Sequence, residues 1–231
     1  MLLKDRKIIV TGGPTREWFD PVRYISNASS GKMGIALADE SNKISKNICF
    51  IHGPISEHLL QDKPYRCIKV ETTNDMLEIV LNEIEDNSVL IMCAAPADYT
   101  PVKKSDEKIK KQNENIFIEM ERTPDILKNV SLVRESRKLN NLFVAGFAAE
   151  TSNVEEYALL KLNEKNLDMI CLNDVLKEGA GFGGDTNIIT IFARTGFKIE
   201  LPMLTKDKAA FEILKQIEEL IATPPMAARQ Y

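Results

Sequence analysis

Asp20-Pro-Val-Arg-Tyr-Ile-Ser-Asn-Ala-Ser-Ser-Gly-Lys-Met-Gly34 follows the first strand-like run of the chain, residues 7–10, and leads directly into a helical pattern. Ser29 and Ser30 read as hydroxyl caps, Gly31 and Gly34 as places of close backbone approach, and Ile35, Ala36, Leu37 and Ala38 as the start of a buried helix. A helix beginning here aims unpaired N–H groups and its positive dipole end at the loop, which suits a phosphate or a carboxylate. Ser30, Gly31 and Lys32 are therefore the expected phosphate cradle. A capped helix after a surface loop is the plainer reading. Against it, Asp20, Arg23, Asn27 and Lys32 place four specific polar groups in one connection, more than a cap requires. A Walker A loop would need Gly at 26 and Ser or Thr at 33; Ser26 and Met33 stand there instead.

Around this stretch, 231 residues with 44% hydrophobic and 28% charged side chains suffice for one domain with a full core, expected over 1–222 with a tail at 223–231. A net charge of −4 leaves no basic excess for a nucleic-acid partner. Cys49, Cys67, Cys93 and Cys171 are widely spaced, with Cys49, Cys93 and Cys171 inside apolar strand-like runs, and read as buried free thiols in a reducing compartment, not as a disulfide or zinc framework. The first seven residues carry four charges and no apolar signal core, and no run approaches a membrane span. The expectation is a cytoplasmic protein with no membrane partner.

Apolar runs at 7–10, 48–51, 66–70, 89–93, 142–147 and 169–172 alternate with helical patterns at 29–42, 72–85, 123 onward and 154–166. That rhythm predicts an α/β fold: a Rossmann-like, doubly wound, mostly parallel sheet with helices on both faces. Residues 188–192 and 197–200 add a C-terminal β-hairpin across Arg194-Thr195-Gly196, and 206–221 a final amphipathic helix. The turn after the first strand, Thr11-Gly12-Gly13-Pro14-Thr15-Arg16, lacks the spacing of a dinucleotide fingerprint, with Thr15 and Glu17 where that pattern needs glycine.

Ligands in such sheets sit beyond the carboxyl ends of the strands, so Asp98, after the fourth strand, stands where a metal, a ribose or a base would be met; an Asx turn is the competing reading. Lys103, Lys104, Lys108, Lys110 and Lys111 form a dense cluster suited either to a solvated loop or to a flap over a polyanion. Residues 116–121 alternate like a half-exposed strand, and Thr123 with Pro124 reads as a cap and first helical position. Asn153 is the expected cap of the 154–166 helix. Lys161 and Lys165, four apart on that helix, share a face, as a solvated stripe or an anion clamp. The glycine-rich 179–185 segment reads as a mobile loop. Tyr157 and Lys161 match the Tyr-x-x-x-Lys pair of short-chain dehydrogenases, but that family's glycine turn and upstream Ser are absent.

Eight ordered motifs over residues 7–192 together resemble the phosphopantothenoylcysteine synthetase family of coenzyme A biosynthesis. They begin at Gly13, Asp20, Ser29, Ala97, Lys108, Thr123, Gly146 and Lys165. The chain looks like a free-standing form of a synthetase that many bacteria fuse behind a flavin-dependent decarboxylase. The resemblance implies ligation of 4'-phosphopantothenate to L-cysteine by way of an acyl-cytidylate, using CTP and Mg2+ or Mn2+ in a homodimer; eukaryotic relatives use ATP. It further implies that Asn27 holds the acyl intermediate and that Lys108 neutralises phosphate charge. Asp98 would meet the nucleotide or its metal. Further nucleotide contacts fall on Arg122, Thr123, Pro124, Asp125, Ile126, Phe147, Lys161 and Lys165. Two other readings stay open: an NAD(P)-dependent short-chain reductase using Tyr157 and Lys161, and a non-catalytic nucleotide-sensing module.

Overall fold

The computed structural model describes residues 2–111, 115–150, 154–174 and 184–222. The expected cap Asn153, most of the 179–185 glycine loop and the 223–231 tail lie outside the described residues.

In chain order the elements are β1 (Lys7–Gly12), β2 (Arg16–Trp18), β3 (Tyr24–Ser26), α1 (Lys32–Ile44), β4 (Ile48–His52), β5 (Arg66–Lys69) and α2 (Thr73–Glu83). There follow β6 (Ser88–Met92), β7 (Tyr99–Pro101), β8 (Met120–Arg122), α3 (Ile126–Ser136), β9 (Phe143–Glu150), α4 (Val154–Glu164) and β10 (Met169–Asp174). The chain closes with β11 (Thr186–Asn187), β12 (Ile189–Ala193), β13 (Lys198–Glu200), β14 (Leu204–Thr205) and α5 (Lys206–Ala222).

Eight strands form one sheet in the order β13-β12-β10-β9-β6-β1-β4-β5. The six from β10 to β5 are parallel, and the β12–β13 hairpin adds an antiparallel edge. The sequence pattern anticipates this architecture. Counting only parallel strands, the order reverses between β1 and β6, the switch point at which doubly wound sheets bind ligands.

Alternation along the strands divides the core in two. Ile8 and Val10 face one layer with Leu37 of α1 and Ile213 of α5. Ile9 faces the other with Val80 of α2, Val130 of α3 and Leu162 of α4. Burial on both faces explains the unbroken apolar runs of these strands. Burying each side chain of this size contributes roughly 1.5–3 kcal/mol, before its share of ordering entropy.

Three two-stranded ribbons stand off the main sheet: β2–β3, β7–β8 and β11–β14. The strand expected at 116–121 shortens to Met120–Arg122, because its partner β7 offers only three residues and the ribbon has no second face to bury. Phe117, 91% exposed, shows the cost of that missing layer.

Close approach of α1 to β1 fixes the helix over the switch point. A Cβ on Gly34 would stand 2.8 Å from Gly12 Cα and 3.0 Å from the Thr11 carbonyl oxygen, both backbone atoms that cannot swing aside. Gly34→Ala is therefore expected to cost about 1–3 kcal/mol, the range of an overpacked core, and to lower Tm by several degrees in a thermal melt. An unchanged Tm would show that α1 can slide off β1 without loss.

Candidate active site

Beyond the carboxyl ends of β1 and β6 the loops 13–15 and 93–98 run side by side. A parallel bridge joins Pro14 to Ala95, and Ala95 N–H donates to the Gly13 carbonyl at 2.9 Å. Buried hydroxyls hold the second loop almost residue by residue. Thr11 Oγ1 accepts from Ala94 N–H at 3.0 Å, and Thr15 Oγ1 accepts from Ala97 N–H at 2.9 Å. The Ala97 carbonyl accepts from Thr123 Oγ1 at 2.6 Å and from Thr73 Oγ1 at 3.3 Å. Thr15 and Thr73 also hydrogen-bond each other at 2.9 Å, and Glu17 accepts from Thr73 N–H. Asn27 completes the set, its Nδ2 donating to the carbonyls of Pro96 at 2.9 Å and Ala95 at 3.3 Å. A loop without regular structure is thus given a fixed course, since each of these backbone groups has a partner.

The start of α1 differs from the expected serine caps. Gly31 is the N-cap, in the left-handed region at φ 76°, and no side chain caps the helix. A turn this sharp admits glycine cheaply, whereas Ser29 lies two steps too early and accepts only a long contact from Gly31 N–H, 3.4 Å. Among the described residues no side chain caps the amides of the first turn. At α3 the expected cap is likewise displaced. Asp125 caps the helix by accepting from Lys128 N–H at 3.0 Å, because the Thr123 hydroxyl is committed to Ala97.

These elements enclose a cavity of about 830 Å³, within the usual range of small-molecule sites. Every site residue expected from the sequence lines it except Lys108. Its charged lining among the described residues is Lys32, Arg122, Lys161, Lys165 and Lys206 against Asp98 and Asp125. A cationic hollow in a chain of net charge −4 favours an anionic ligand electrostatically. Two of the lysines rest on carboxylates, Lys32 on Asp185 at 2.6 Å and Lys165 on Asp125 at 3.1 Å. Phe147, half-buried, supplies an apolar wall.

Lys108 stands exposed on the 102–111 segment and is not part of the cavity lining; its neighbour Ile109 is tied to Asp20 and Arg23. Tyr157, 44% exposed, does not line the cavity although Lys161 does, so the cavity lacks the reductase pair. Among the described residues no group of three or more His, Cys, Asp or Glu could hold a metal ion. A cation at Asp98 would therefore take most of its oxygens from a ligand, as Mg2+ does in phosphate sites.

Nor, among the described residues, does the cavity show an activated thiol. Burial pushes the Cys93 thiol up to about 12, only partly offset by Lys206. His52 and His58 lie away from the lining, the first buried and bonded through Nδ1 to the Gly53 carbonyl at 2.9 Å.

Sequence reasoning missed Thr11, Thr15 and Thr73, which pass as ordinary strand-end and cap residues. Lys206 was missed as well, although a signal for it exists. It falls on the apolar stripe of α5 with Ala209, Ala210 and Ile213, and a lysine there must be held. Only 7% exposed, it donates to Asn187 Oδ1 at 2.6 Å, and burial lowers its pKa with Lys32 adding to the effect.

Comparison with known proteins shows the family to which this fold belongs. Residues 3–221 match the family model of the DNA/pantothenate metabolism flavoprotein C-terminal domain. The chain is 44% identical over 219 residues to the coenzyme A biosynthesis bifunctional protein CoaBC of Bacillus subtilis, covering 94% of this chain and 52% of that protein. The CoaBC of Escherichia coli K12 is 41% identical over 219 residues, with 93% and 52% covered. The chain thus spans about half the length of the curated relatives it matches. A crystal structure of a CoaBC C-terminal domain superposes with a TM-score of 0.75 at 39% identity, over 95% of this chain and 97% of that one. A Cab2 variant solved with phosphopantothenate-cysteine shares the fold alone, at 12% identity and a TM-score of 0.71 over 95% and 88% of the two chains. Matched along almost its whole length and over 40% identical to CoaBC proteins, the chain belongs to the DNA/pantothenate metabolism flavoprotein C-terminal domain family, in keeping with its resemblance to the phosphopantothenoylcysteine synthetases.

Proposed function

We propose that the protein ligates 4'-phosphopantothenate to L-cysteine in the cytoplasm, activating the acid with CTP. The observation that carries this reading is the cationic cavity at the switch point, which gathers Asn27, Ser30, Lys32, Asp98, Thr123 and Lys165 around one space and, among the described residues, shows no activated thiol. A carboxylate resists attack by an amine until one oxygen becomes part of a leaving group. In the first step that oxygen attacks the α-phosphorus of CTP, pyrophosphate departs, and an acyl-cytidylate forms. In the second the cysteine amine attacks the acyl carbon, loses a proton, and expels CMP with the carboxylate's former oxygen. Neither step requires a covalent enzyme intermediate, so positioning and charge stabilisation carry the rate.

The chain's residues divide that work. Lys32, Lys161 and Lys165 exchange their carboxylate and other partners for phosphate oxygens, while Ser30, Gly31 and the first-turn amides of α1 supply neutral donors. Thr123, Pro124, Asp125 and Ile126 shape the wall at the start of α3, with Arg122 beside them, and Phe147 packs near the base. Asp98 holds the ribose or a Mg2+ or Mn2+ ion, which would supply charge neutralisation to the departing pyrophosphate. Asn27 gives up its longer contact, 3.3 Å to the Ala95 carbonyl, to donate to the oxyanion of the second step. Lys108 supports the first step from its segment. The protein acts as a homodimer, whose interface covers Tyr24 and Ile25 of β3 with Tyr99 and Val102, exposed apolar side chains on two neighbouring ribbons.

Pyrophosphate release with 4'-phosphopantothenate, cysteine and Mg2+, compared among CTP, ATP, GTP and UTP, tests the reading. Release with CTP that depends on phosphopantothenate is expected, and no release with any nucleotide would overturn it. Asn27→Ala should leave pyrophosphate release largely intact while lowering amide formation about 10²–10³-fold, the usual effect of losing one oxyanion donor. Lys108→Ala should lose pyrophosphate release itself. Equal loss of both steps in Asn27→Ala would contradict this division. Because the Cys93 thiol stays protonated, Cys93→Ala should keep turnover within about threefold of the parent; a rate that collapses would reveal a thiol role.

A further inference from the structure

Asp20 is fully buried, and a carboxylate so placed needs a complete set of donors. Its Oδ1 accepts from Val22 N–H and Arg23 N–H, both at 2.8 Å, closing the local turn. Oδ2 has a different role. It accepts from Arg23 Nε at 2.9 Å, from Arg23 Nη2, and from the backbone N–H of Ile109 at 3.2 Å, 89 residues along the chain. Arg23 Nη2 in turn donates to the Ile109 carbonyl at 3.0 Å. The carboxylate and guanidinium thus engage both polar backbone groups of Ile109, as a neighbouring strand would. One further tie, Ser105 N–H to the Phe19 carbonyl at 3.0 Å, fastens the same segment to the same loop. A local turn accounts for Oδ1 but not for these contacts.

Lys108 immediately precedes Ile109, so its Cα lies only about 3.8 Å from the Ile109 Cα. Residues 102–111 belong to no helix or strand and carry five lysines against Asp106 and Glu107, a composition that would otherwise leave the segment loosely held. The same loop reaches Asn27 four residues after Arg23. We propose that Asp20, through its pairing with Arg23, is the positioning residue for Lys108, so that one loop sets the location of both Lys108 and Asn27; the inference rests on the ligase reading for the role of Lys108. The Arg23 contact keeps the carboxyl far below the usual carboxylate range despite its burial, so the tie persists at every pH at which the protein is folded and active.

Two readouts test this on the intact chain. In limited trypsin digestion Asp20→Asn is expected to raise cleavage within 103–111 at least tenfold over cleavage elsewhere. Arg23→Gln, on a half-buried side chain, should do the same, with an unchanged far-UV circular dichroism spectrum showing that the variant still folds. For pyrophosphate release, Asp20→Asn should lower kcat about 10²-fold, the effect of misplacing a reacting group by an ångström or so, with KM for CTP changed less than about threefold. The double variant Asp20→Asn/Lys108→Ala should then lie within about threefold of Lys108→Ala alone, because both changes remove one function. Unchanged cleavage in both single variants overturns the tie, and losses that multiply in the double variant overturn the link to Lys108. A parent protein that releases no pyrophosphate would fail the ligase reading, while the digestion would still decide whether Asp20 holds the segment.

Discussion

The structure depends on how the chain 93–98 is threaded past the end of β6. Three threonine hydroxyls, from β1, from the turn after it and from the start of α2, meet a fourth from the approach to α3, and together they bond the amides of Ala94 and Ala97 and the Ala97 carbonyl. Each unpaired buried backbone group would cost about 1–3 kcal/mol, so these side chains decide the course of the loop as strongly as a strand partner would. Asp98 and the Asn27 amide consequently occupy fixed places across one hollow. Rigid placement of that kind is what a two-step reaction without a protein nucleophile requires.

Charge completes the site. Lysines gathered from α1, α4 and α5 face the hollow, and the resting contacts of Lys32 with Asp185 and of Lys165 with Asp125 keep them from standing uncompensated. Phosphate, carrying more charge and more acceptor atoms, competes with such carboxylates directly. The buried Lys206 is the extreme case, tolerated in an apolar stripe because Asn187 accepts from it where β11 meets β14 at the start of α5. Uncapped amides at α1 and a left-handed Gly31 add donors without adding bulk.

Much of this was legible in the sequence, for reasons that differ by element. The parallel sheet could be read because strands covered on both faces leave unbroken apolar runs, and the helices because their apolar spacing is long and regular. The cradle at Ser30, Gly31 and Lys32 could be placed because strand, polar loop and helix start are contiguous. Cap assignments failed at α1 and α3, where a hydroxyl nearby in sequence was either two residues too early or already engaged by Ala97. The 116–119 strand failed since alternation alone cannot supply a partner. Thr11, Thr15 and Thr73 escaped notice because their partners are remote in sequence, and the tie between Asp20 and Ile109 spans 89 residues with no local mark.

The proposed reaction can be followed most directly with 18O in the carboxylate of 4'-phosphopantothenate. Attack on the α-phosphorus followed by amide formation places one 18O atom in CMP and leaves the other in the product amide. Label recovered in pyrophosphate or orthophosphate, or none in CMP despite turnover, would contradict the acyl-cytidylate and with it the roles assigned to this cavity.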